Sequence, residues 1–577
     1  MRRRFTPQLP SGPLLDIGDL AVLLLITAVL YLGVRIAVRA PAIIQGPTIS
    51  LDPRALPWYA LLSTGRMLAA YLLSLTFGLV YGYAAARNQT AERLLMPLLD
   101  VLQSVPILSF LPVVLLSLSA LLPQALAVEL ASIVLIFTSQ VWNLTFYWYQ
   151  SLITIPEGLR DVATSFRFSP WLRFRVLELP FATAGLIWNS ITSWGEGWFF
   201  LMASEAFTIG QRDFRLPGLG AYLHTAANAG DSAAILQGLG TLLVVVVLLD
   251  QFIWRPLLAW SERFRLDMVE RDEPTTSWFY YLLQHSRILQ RLSEHMLAPL
   301  LHKMDLTFFR RKRRRGRTPV SNKGKNPSRG RILYPVVALL GIGLVYGAWQ
   351  AAHLLLTLPL TAWREVVLAT LTTFLRVFAA LLIVLCWTVP IGVLIGTRPR
   401  VAAVLQPVAQ ILFSVPATAL FPTFLLLFLR LPFGLNLAAM LVILLGMQDY
   451  LFYNVIAGAR AIPRELEFTA RLLQLRGWAR WRTMILPALF PYLVTGMISA
   501  VGAAWNASVV AEYAQFGGHT YAIRGVGSLI ARATARGDYA LLLAATLTMI
   551  LTVVLMNRLF WHRLYRMAEE RYKMEME

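Results

Sequence analysis

Charged residues are scarce in this chain of 577 residues. They make up 14% of the sequence, whereas hydrophobic residues make up 57%, and soluble domains usually carry roughly 25% charged residues. A soluble protein of this size could not cover its core with so few charges. The composition therefore predicts an integral membrane protein and excludes a soluble enzyme. A single cysteine, Cys386, excludes a disulfide framework and a cysteine-based metal site.

Motifs for nucleotide and metal chemistry are also missing. The sequence has no phosphate loop of the form G-x-x-x-x-G-K-[ST] and no H-E-x-x-H motif, so the chain cannot bind ATP in that way. Its seven histidines are scattered, and we interpret them as structural. A membrane-embedded enzyme would need a paired catalytic constellation, which is not apparent. An interaction scaffold is the least favoured class.

Positive charge is concentrated in one place. The net charge is +21, and eleven basic residues but no acidic ones lie in 310–331. We interpret this run as a stop signal that binds anionic lipid, because nucleic-acid binding has no aromatic or fold context to support it. The preceding residues 278–303 alternate apolar and charged side chains, which predicts an amphipathic helix on the membrane surface.

Twelve apolar segments are long enough to cross a membrane as helices, which takes about 20 mostly apolar residues. Six precede residue 262 and six follow residue 331, and none shows the period-two alternation of strands. The predicted spans are 18–38, 59–86, 99–121, 125–149, 182–204, 233–258, 332–351, 365–396, 406–430, 432–456, 488–511 and 539–560.

Basic residues predict the orientation. The segment between the fourth and fifth spans of each half is rich in arginine, so the positive-inside rule places these segments, both termini and the middle linker in the cytoplasm. The first span is longer than the apolar region of a signal peptide, and we interpret it as an uncleaved anchor. One outer loop, with Arg524, Arg532 and Arg536, fits the rule less well.

The two halves of the chain are an internal duplication. Ser104-Val105-Pro106 matches Ser414-Val415-Pro416 at an offset of 310, and after a three-residue deletion the offset becomes 307. Further matched pairs are Arg66 and Arg376, Gly82 and Gly392, Trp198 and Trp505, Glu205 and Glu512, Gly218 and Gly525, and Trp254 and Trp561. Because each half has an even number of spans, the repeats insert in the same orientation, with a pathway expected between them.

The duplication predicts a domain organisation. We expect an N-terminal anchor helix and outer loop, a first domain, a cytoplasmic linker, a second anchor helix and a second domain. Their predicted limits are 1–58, 59–261, 262–330, 331–364 and 365–577.

The most informative segments are 155–180 and 462–487. Each predicts a short cytoplasmic amphipathic helix, a break, and a basic-aromatic stretch that ends in Leu-Pro before a span. Both resemble the signature loop of ABC importer permeases, which has an acidic residue, two small residues, a glycine four positions later and a Leu-Pro further on. In that family the loop forms the coupling helix that docks in a cleft of the ATPase.

The resemblance assigns coupling residues at matching positions in both halves. They are Asp161, Val162, Ala163, Arg167 and Pro180 in the first half, and Glu467, Thr469, Ala470, Gln474, Gly477 and Pro487 in the second, with Phe468 at the start of the second motif. Arg167 and Gln474 stand where the family has glycine. We therefore expect the helix break to fall at Pro170 and Gly477 instead.

Short motifs outside the loops resemble one subgroup of these permeases. Gln103-Ser104-Val105-Pro106, Phe110-Leu111-Pro112 and Trp142-Asn143 look like nitrate/sulfonate/bicarbonate (NitT/TauT-like) permeases, in particular those with two permease domains fused in one chain. The likeness covers roughly 59–260 and 365–561. It implies an all-α polytopic membrane protein of about twelve transmembrane helices, arranged as two parallel six-helix repeats with the type I ABC importer permease fold.

The resemblance also implies a function and partners. The chain would be the permease of an ATP-driven importer in the bacterial inner membrane, moving a small, anionic solute by alternating access. An extracytoplasmic binding protein would deliver the solute. Two copies of a separate ATPase would bind ATP and Mg, with no cofactor in this chain. The alternative is an ion-coupled secondary transporter with parallel repeats.

Several charged residues lie within or near the ends of predicted spans, where charges are costly and usually face the protein interior. Arg66 and Arg376 match, as do Glu205 and Glu512. We favour a structural Arg–Glu pair in each half over attraction of an anionic substrate by the arginines.

Glu196 and Asp449 break the repeat, because their counterparts are Ala503 and a residue near Trp142. Glu196 is a candidate to contact substrate or gate the path, although a packing role is favoured, with Gly195 and Gly197 allowing close helix approach. The candidates for the translocation pathway are Arg66, Arg376, Glu196, Ser104 and Ser414.

Overall fold

The computed structural model describes most of the chain. The described residues are 17–41, 43–103, 105–264, 277–286, 327–428, 430–516 and 519–572. The basic run 310–317 lies outside them. Of the predicted amphipathic linker helix, the structure describes one piece, the helix Trp278–His285.

The first half is a series of long helices that ends in a short hairpin and two further helices. Its α-helices are Ile17–Ala37, Leu56–Arg87, Gln89–Gln103, Ile107–Leu121, Gln124–Thr154, Glu157–Ser165, Pro170–Arg173, Leu179–Glu205, Leu219–Asn228, Ser232–Leu249 and Arg255–Ser261. Short 3-10 or π segments are Pro53–Ala55, Phe174–Glu178, Asp250–Trp254 and Glu262–Phe264. The strands Thr208–Ile209 and Arg212–Asp213 pair antiparallel.

The second half repeats this order. Its α-helices are Pro327–Leu356, Leu360–Thr397, Pro399–Ser414, Ala417–Phe428, Gly434–Arg460, Arg464–Leu472, Gly477–Arg480, Leu486–Ala511, Val526–Arg536, Tyr539–Met556 and His562–Tyr572, with π segments at Trp481–Ile485 and Asn557–Trp561. The strands Tyr513–Phe516 and His519–Ala522 form a second antiparallel hairpin, with Tyr513 opposite Ala522.

Within the described residues, seven helices are long and apolar enough to cross a membrane, or eight if one bent pair counts as a span. The seven are Pro53–Arg87, Gln124–Thr154, Ser232–Phe264, Leu360–Thr397, Gly434–Arg460, Gly477–Ala511 and Tyr539–Ala568. The all-α polytopic fold with two repeats is confirmed. The count of about twelve spans is not reached by this measure in the described part.

Two predicted spans are wrong as single helices. The segment 99–121 is split between Gln89–Gln103 and Ile107–Leu121, which meet at 95°. The segment 406–430 is likewise split, with one helix ending at Ser414 and the next beginning at Ala417. A proline disfavours the helical conformation of the residue before it, and Val415, before Pro416, is extended at φ −81° and ψ 115°.

Each half is built around the same close helix approach. A Cβ on Gly82 would lie 2.8 Å from Trp148, and one on Gly392 would lie 2.6 Å from Val455. Residues 148 and 455 match at the offset of 307. Leu56–Arg87 therefore packs on Gln124–Thr154, and Leu360–Thr397 packs on Gly434–Arg460, at equivalent glycines. A larger residue at these positions would force the helices apart.

The anchor helices depart from the twofold arrangement. Ile17–Ala37 packs against Ile107–Leu121, where Ser117 Oγ donates to Gly33 O at 2.8 Å. Pro327–Leu356 packs against the first anchor rather than at the equivalent place in its own half, and a Cβ on Gly347 would lie 2.9 Å from Ala28 Cβ.

Four helices form the interior and are called the central helices below. They are Gln124–Thr154 and Leu179–Glu205 in the first half, and Gly434–Arg460 and Leu486–Ala511 in the second. One end of this group carries the two β-hairpins and is called the hairpin end. The other carries the helices Glu157–Ser165 and Arg464–Leu472, called the coupling helices, and is the coupling end.

Candidate functional site

The coupling helices start and stop in the same way in both halves. Each follows a proline, Pro156 or Pro463, which takes an extended conformation and interrupts the preceding central helix. Acidic residues in the first turn, Glu157 and Glu465 among them, complement the positive helix N-terminus. The two helices are nine residues long, so both halves present the same short element at the same end.

Both coupling helices end on a left-handed residue. Arg167 has φ 53° and Gln474 has φ 52°. The next amides reach back in matching bonds, Phe168 N to Ala163 O at 3.0 Å and Leu475 N to Ala470 O at 2.9 Å. This is the pattern of a Schellman C-cap, in which glycine is usual. The predicted shift of the break to 170 and 477 is wrong, since those residues begin the next short helices.

The coupling helices hold one face against the protein and expose the other. Ala163 and Ala470, at matching positions, are each 4% exposed. Phe166 and Leu473, also matched, are 74% and 66% exposed. Each loop therefore leaves a large apolar side chain uncovered beside its cap.

The remaining coupling residues lie around these caps. Asp161, Val162, Thr469, Arg167 and Gln474 are exposed. Glu467 lies 3.6 Å from Arg480 in an ion pair. Gly477 has φ 53°, and Pro180 and Pro487 are in the first turns of Leu179–Glu205 and Leu486–Ala511.

At the hairpin end, Arg66 is the centre of a buried network. Its Nη1 lies 2.7 Å from Glu205 Oε1 and 2.9 Å from Pro217 O, and its Nε and Nη2 each donate to Glu129 at 2.7 Å. Arg66 is 5% exposed and Glu205 is fully buried. The guanidinium therefore has protein partners on all three of its nitrogens.

Glu205 in turn holds the chain beyond the hairpin. It accepts from Ser63 Oγ at 2.7 Å and from Gly220 N at 2.8 Å, while Leu219 N donates to Ser63 Oγ at 3.0 Å. A Cβ on Gly218 would lie 2.3 Å from the carboxylate. The network thus connects the helix Leu56–Arg87 to the turn that starts Leu219–Asn228.

The second half contains the matching network without a counterpart of Glu129. Arg376 pairs with Glu512, which accepts from Thr373 Oγ1 at 2.7 Å and from Gly527 N at 2.9 Å. Arg376 Nη2 also donates to Arg524 O at 3.1 Å. The expected Arg–Glu ion pair is thus present in both halves.

Glu196 lies between the halves. Tyr450 Oη donates to Glu196 Oε1 at 2.9 Å, and Asn143 Nδ2 lies 3.2 Å from both carboxylate oxygens. Asn143 belongs to the first half and Tyr450 to the second, on matched central helices. Of the other pathway candidates, Ser104 lies outside the described residues, as does the side chain of Ser414, the last residue of its helix.

At the hairpin end, two hydrogen bonds at matched positions join the halves. Leu108 N donates to Asn506 Oδ1 at 3.2 Å, and Thr418 Oγ1 donates to Phe199 O at 3.0 Å. Residues 108 and 418 match at offset 310, and 199 and 506 match at offset 307. The broken helix of each half therefore contacts a central helix of the other half.

Toward the coupling end, the same central helices are open. Thr192, Thr495 and Ser499 are exposed, and a Cβ on Gly195 or on Gly502 would meet no atom within 4 Å. Polar side chains in membrane helices usually face a protein interior or a water-filled cavity rather than lipid. Toward the coupling end, positions 192, 195, 495, 499 and 502 of the central helices are therefore not covered by other parts of the described chain.

Sequence reasoning missed several of these residues. Ser63 and Thr373 match at the offset of 310, and a search for matched polar residues would have found them. Tyr450 and Asn143 match at 307 but differ in type. Glu129 has no acidic counterpart at offset 307, where Asn436 stands, and its pairing with Arg66 depends on three-dimensional packing.

Comparison with known proteins adds an independent finding. The family described as "Binding-protein-dependent transport system inner membrane component" matches twice, at residues 74–253 and 388–572. The two matched regions fall on the two structural repeats and together cover more than half of the chain.

Individual relatives are named as permease proteins of transport systems. The chain is 31% identical to the nitrate import permease protein NrtB of Synechococcus elongatus over 145 residues, 25% of this chain and 50% of that protein. It is 33% identical to the putative aliphatic sulfonates transport permease protein SsuC of Bacillus subtilis over 123 residues, 21% of this chain and 43% of that protein.

A longer match is to the bicarbonate transport system permease protein CmpB of Synechocystis sp., 25% identical over 248 residues, which are 39% of this chain and 85% of that protein. The chain spans about half the length of the other two relatives, NrtB and SsuC.

Proposed function

The chain belongs to the family of binding-protein-dependent transport system inner membrane components, and from this premise we propose that it forms the complete transmembrane core of an ABC importer. Both permease domains lie in one chain, because the family matches twice. The core would carry a small solute across the bacterial inner membrane, between its two halves. It is a transport subunit rather than an enzyme.

The observation that carries this proposal is the pair of coupling helices. They have the same length, the same C-cap and a large exposed apolar residue at the same position, Phe166 in one and Leu473 in the other. A pair of equivalent docking elements suits two copies of one soluble subunit. We assign that subunit as the ATPase, with ATP and Mg bound there and no cofactor in this chain.

The hairpin end would receive a binding protein on the outer side. The arginine-rich segments next to the coupling helices favour a cytoplasmic coupling end by the positive-inside rule, which puts both termini in the cytoplasm as well. The halves contact each other at the hairpin end, and Gly195 and Gly502 of the central helices border open space. This arrangement supports alternating access, with the present state open to the cytoplasm.

Binding of ATP would bring the two ATPase copies together and draw the coupling helices toward each other. Each coupling helix continues through a short helix and a π segment into a central helix, Leu179–Glu205 or Leu486–Ala511. The movement would therefore be passed to the residues that line the path. Breaking the contacts of Leu108 with Asn506 and of Thr418 with Phe199 would open the hairpin end.

The solute would be small, and the names of the relatives suggest nitrate, bicarbonate or a sulfonate as candidate anions. Arg66 and Arg376 would not select it, because protein acids already occupy both guanidinium groups. Selection in the path would fall to other residues.

The proposal is tested by purifying the tagged chain from its native membranes, identifying what is bound, and reconstituting it in liposomes. We expect a soluble ATPase to co-purify and solute uptake to require ATP. A chain that purifies alone and drives uptake from an ion gradient without ATP would overturn the proposal and identify a secondary transporter. A chain with aspartate replacing both Phe166 and Leu473 should remain folded and lose the ATPase.

A further inference from the structure

The coupling end of the first half contains a buried carboxylate that joins two elements. Glu178 ends the π segment that leads from the first coupling helix into Leu179–Glu205, and it is 1% exposed. Its Oε1 forms ion pairs with Arg173, at 2.9 Å, and with Arg87, the last residue of Leu56–Arg87. Its Oε2 has no hydrogen-bond partner among the described residues. The two arginines thus compensate a buried charge and connect the coupling segment to the end of another helix.

Aromatic side chains support this contact. Phe174 is the first residue of the π segment that Glu178 ends, and its ring lies 6.3 Å from the ring of Tyr83, nearly edge-on. Edge-to-face rings at such a distance attract each other. The guanidinium carbon of Arg87 lies 5.0 Å from the centre of the same tyrosine ring. The π segment therefore contacts Leu56–Arg87 through its first and its last residue.

The second half has other residue types at these places. Thr397 matches the arginine that ends the helix, at offset 310, and Ile485 matches the buried acid, at offset 307. Neither side chain can form an ion pair, and Ile485 is buried in an apolar cluster. Arg480, the counterpart of Arg173, lies 3.6 Å from Glu467 of its own coupling helix instead. The link at Glu178 is therefore specific to the first half.

Two ion pairs hold the helix that ends at Arg87 to one central helix. At the hairpin end, Arg66 pairs with Glu205, the last residue of that central helix. At the coupling end, Arg87 pairs with Glu178, the residue directly before it. In the second half, the hairpin-end pair is repeated, but threonine and isoleucine stand at the coupling end. The first half thus has two connections where the second half has one.

Conformational coupling is carried by packed side chains and ion-pair networks. We propose that Glu178 is a positioning residue of the transport cycle, which passes the displacement of the first coupling helix to Leu56–Arg87. These elements then move as one unit with Leu179–Glu205. In the second half, the coupling helix moves Leu486–Ala511 while the end of Leu360–Thr397 lags behind. This inference rests on the proposed ATP-driven function and adds to it a difference between the two halves.

Distances between pairs of spin labels test this difference without any transported solute. Asn88→Cys with Thr164→Cys joins the end of Leu56–Arg87 to the first coupling helix, and Arg398→Cys with Arg471→Cys is the matched pair in the second half. All four residues are exposed, and Cys386→Ser removes the native thiol. The complex with its ATPase is measured in lipid nanodiscs, without nucleotide and after trapping with ATP and vanadate. We expect trapping to shift the second-half distance and to leave the first-half distance unchanged.

Variants move the link between the halves. Glu178→Gln should keep the fold, because both arginines are partly exposed to water, and trapping should then shift the first-half distance. Arg87→Thr with Glu178→Ile copies residue types that already pack in the second half and should have the same effect. Thr397→Arg with Ile485→Glu transfers the link and should hold the second-half distance constant. A residue that only stabilised its own half could not produce this last result.

Asp250→Asn, at another ion pair of the first half, is the control and should give the wild-type distances. Three results obtained with the ATPase bound would overturn the inference. They are wild-type distances that shift alike in both halves, a second-half distance that does not shift, and a first-half distance that stays constant in Glu178→Gln. If no ATPase binds and nucleotide shifts neither distance, the proposed function fails, and this inference fails with it.

Discussion

The guanidinium of Arg66 lies 2.7 Å from the carboxylate of Glu205, and Arg376 forms the same ion pair with Glu512 in the second half. Both acids and Arg66 are buried at the hairpin end, and Arg376 is partly buried. In each half the acid also holds the backbone after the hairpin, through Gly220 N or Gly527 N. The same ion pair thus holds the outer loop of each half against one helix, Leu56–Arg87 in the first half and Leu360–Thr397 in the second.

Removing Arg66 is expected to destabilise the fold rather than to alter solute selection. Arg66→Ala leaves Glu205 buried without its cation, which typically costs about 3–5 kcal/mol. Arg66→Lys keeps the charge and should recover much of the folded yield. Thermal unfolding of the purified chain measures both variants, with the exposed Arg54→Ala as a control. An Arg66→Ala protein that unfolds at the wild-type temperature yet fails to transport would contradict this role.

Glycine is expected to be favourable at the caps of the coupling helices. Arg167 and Gln474 have positive φ, and a non-glycine residue in this conformation costs roughly 1–2 kcal/mol. Arg167→Gly and Gln474→Gly should keep or raise ATPase affinity, whereas Arg167→Val should lower it. Thr164→Gly, inside the helix three residues before Arg167, is the matched control and should weaken ATPase binding, because glycine disfavours a helix interior. If Arg167→Val bound the ATPase more tightly than Arg167→Gly does, the left-handed cap at Arg167 would not be what positions the coupling helix.

The contact of Thr418 with Phe199 is expected to hold the hairpin end closed. Thr418→Val removes a hydrogen bond worth about 1 kcal/mol, which shifts a two-state equilibrium about fivefold. We expect basal ATP hydrolysis by the reconstituted complex to rise by a similar factor. Thr423→Val lies on the same helix, and its hydroxyl has no hydrogen-bond partner among the described residues. Equal hydrolysis by the two variants would argue against a gate at this contact.

His224 is expected to make stability depend on pH. It lies in the outer helix Leu219–Asn228 and hydrogen-bonds to the backbone of Gln515 in the other half; burial, with a contribution from Arg215, lowers its pKa from 6.5 to about 4, although Asp213 opposes the change. The unfolded chain takes up a proton near pH 6.5 while the folded chain does not. Stability present above pH 6.5 is therefore lost as the pH falls toward 4, by up to about 3 kcal/mol.

Melting temperatures at pH 7.5 and pH 5 test this dependence. His224→Gln should flatten the loss at low pH, while His353→Gln, at an exposed position, should leave it as in the wild type. An unchanged pH dependence in His224→Gln would show that other groups are responsible.

Much of the fold follows from the duplication visible in the sequence. Constant offsets between the halves predicted that Arg66 and Arg376, and Glu205 and Glu512, would have equivalent surroundings, and the structure forms the matching Arg–Glu ion pair in each half. The broken helices were missed, because length and hydropathy measure a segment and not its direction. Pro106 and Pro416 were visible as the cause.

Two features of the site could not be read from the sequence. The caps at Arg167 and Gln474 lie in a conformation that the residue types themselves disfavour, so the local pattern pointed to Pro170 and Gly477 instead. The contact of Tyr450 with Glu196 joins residues 254 positions apart. Only the packing of the two halves brings them together.

The most direct test of the account is the mass of the purified complex, measured by native mass spectrometry. The account predicts one chain with two ATPase copies, one copy for Phe166→Asp or Leu473→Asp alone, and none for the double variant. Phe433→Asp, which alters an exposed phenylalanine at the hairpin end, should keep both copies. A complex that retains two ATPase copies in the double variant would contradict the claim that the two coupling helices are the docking sites.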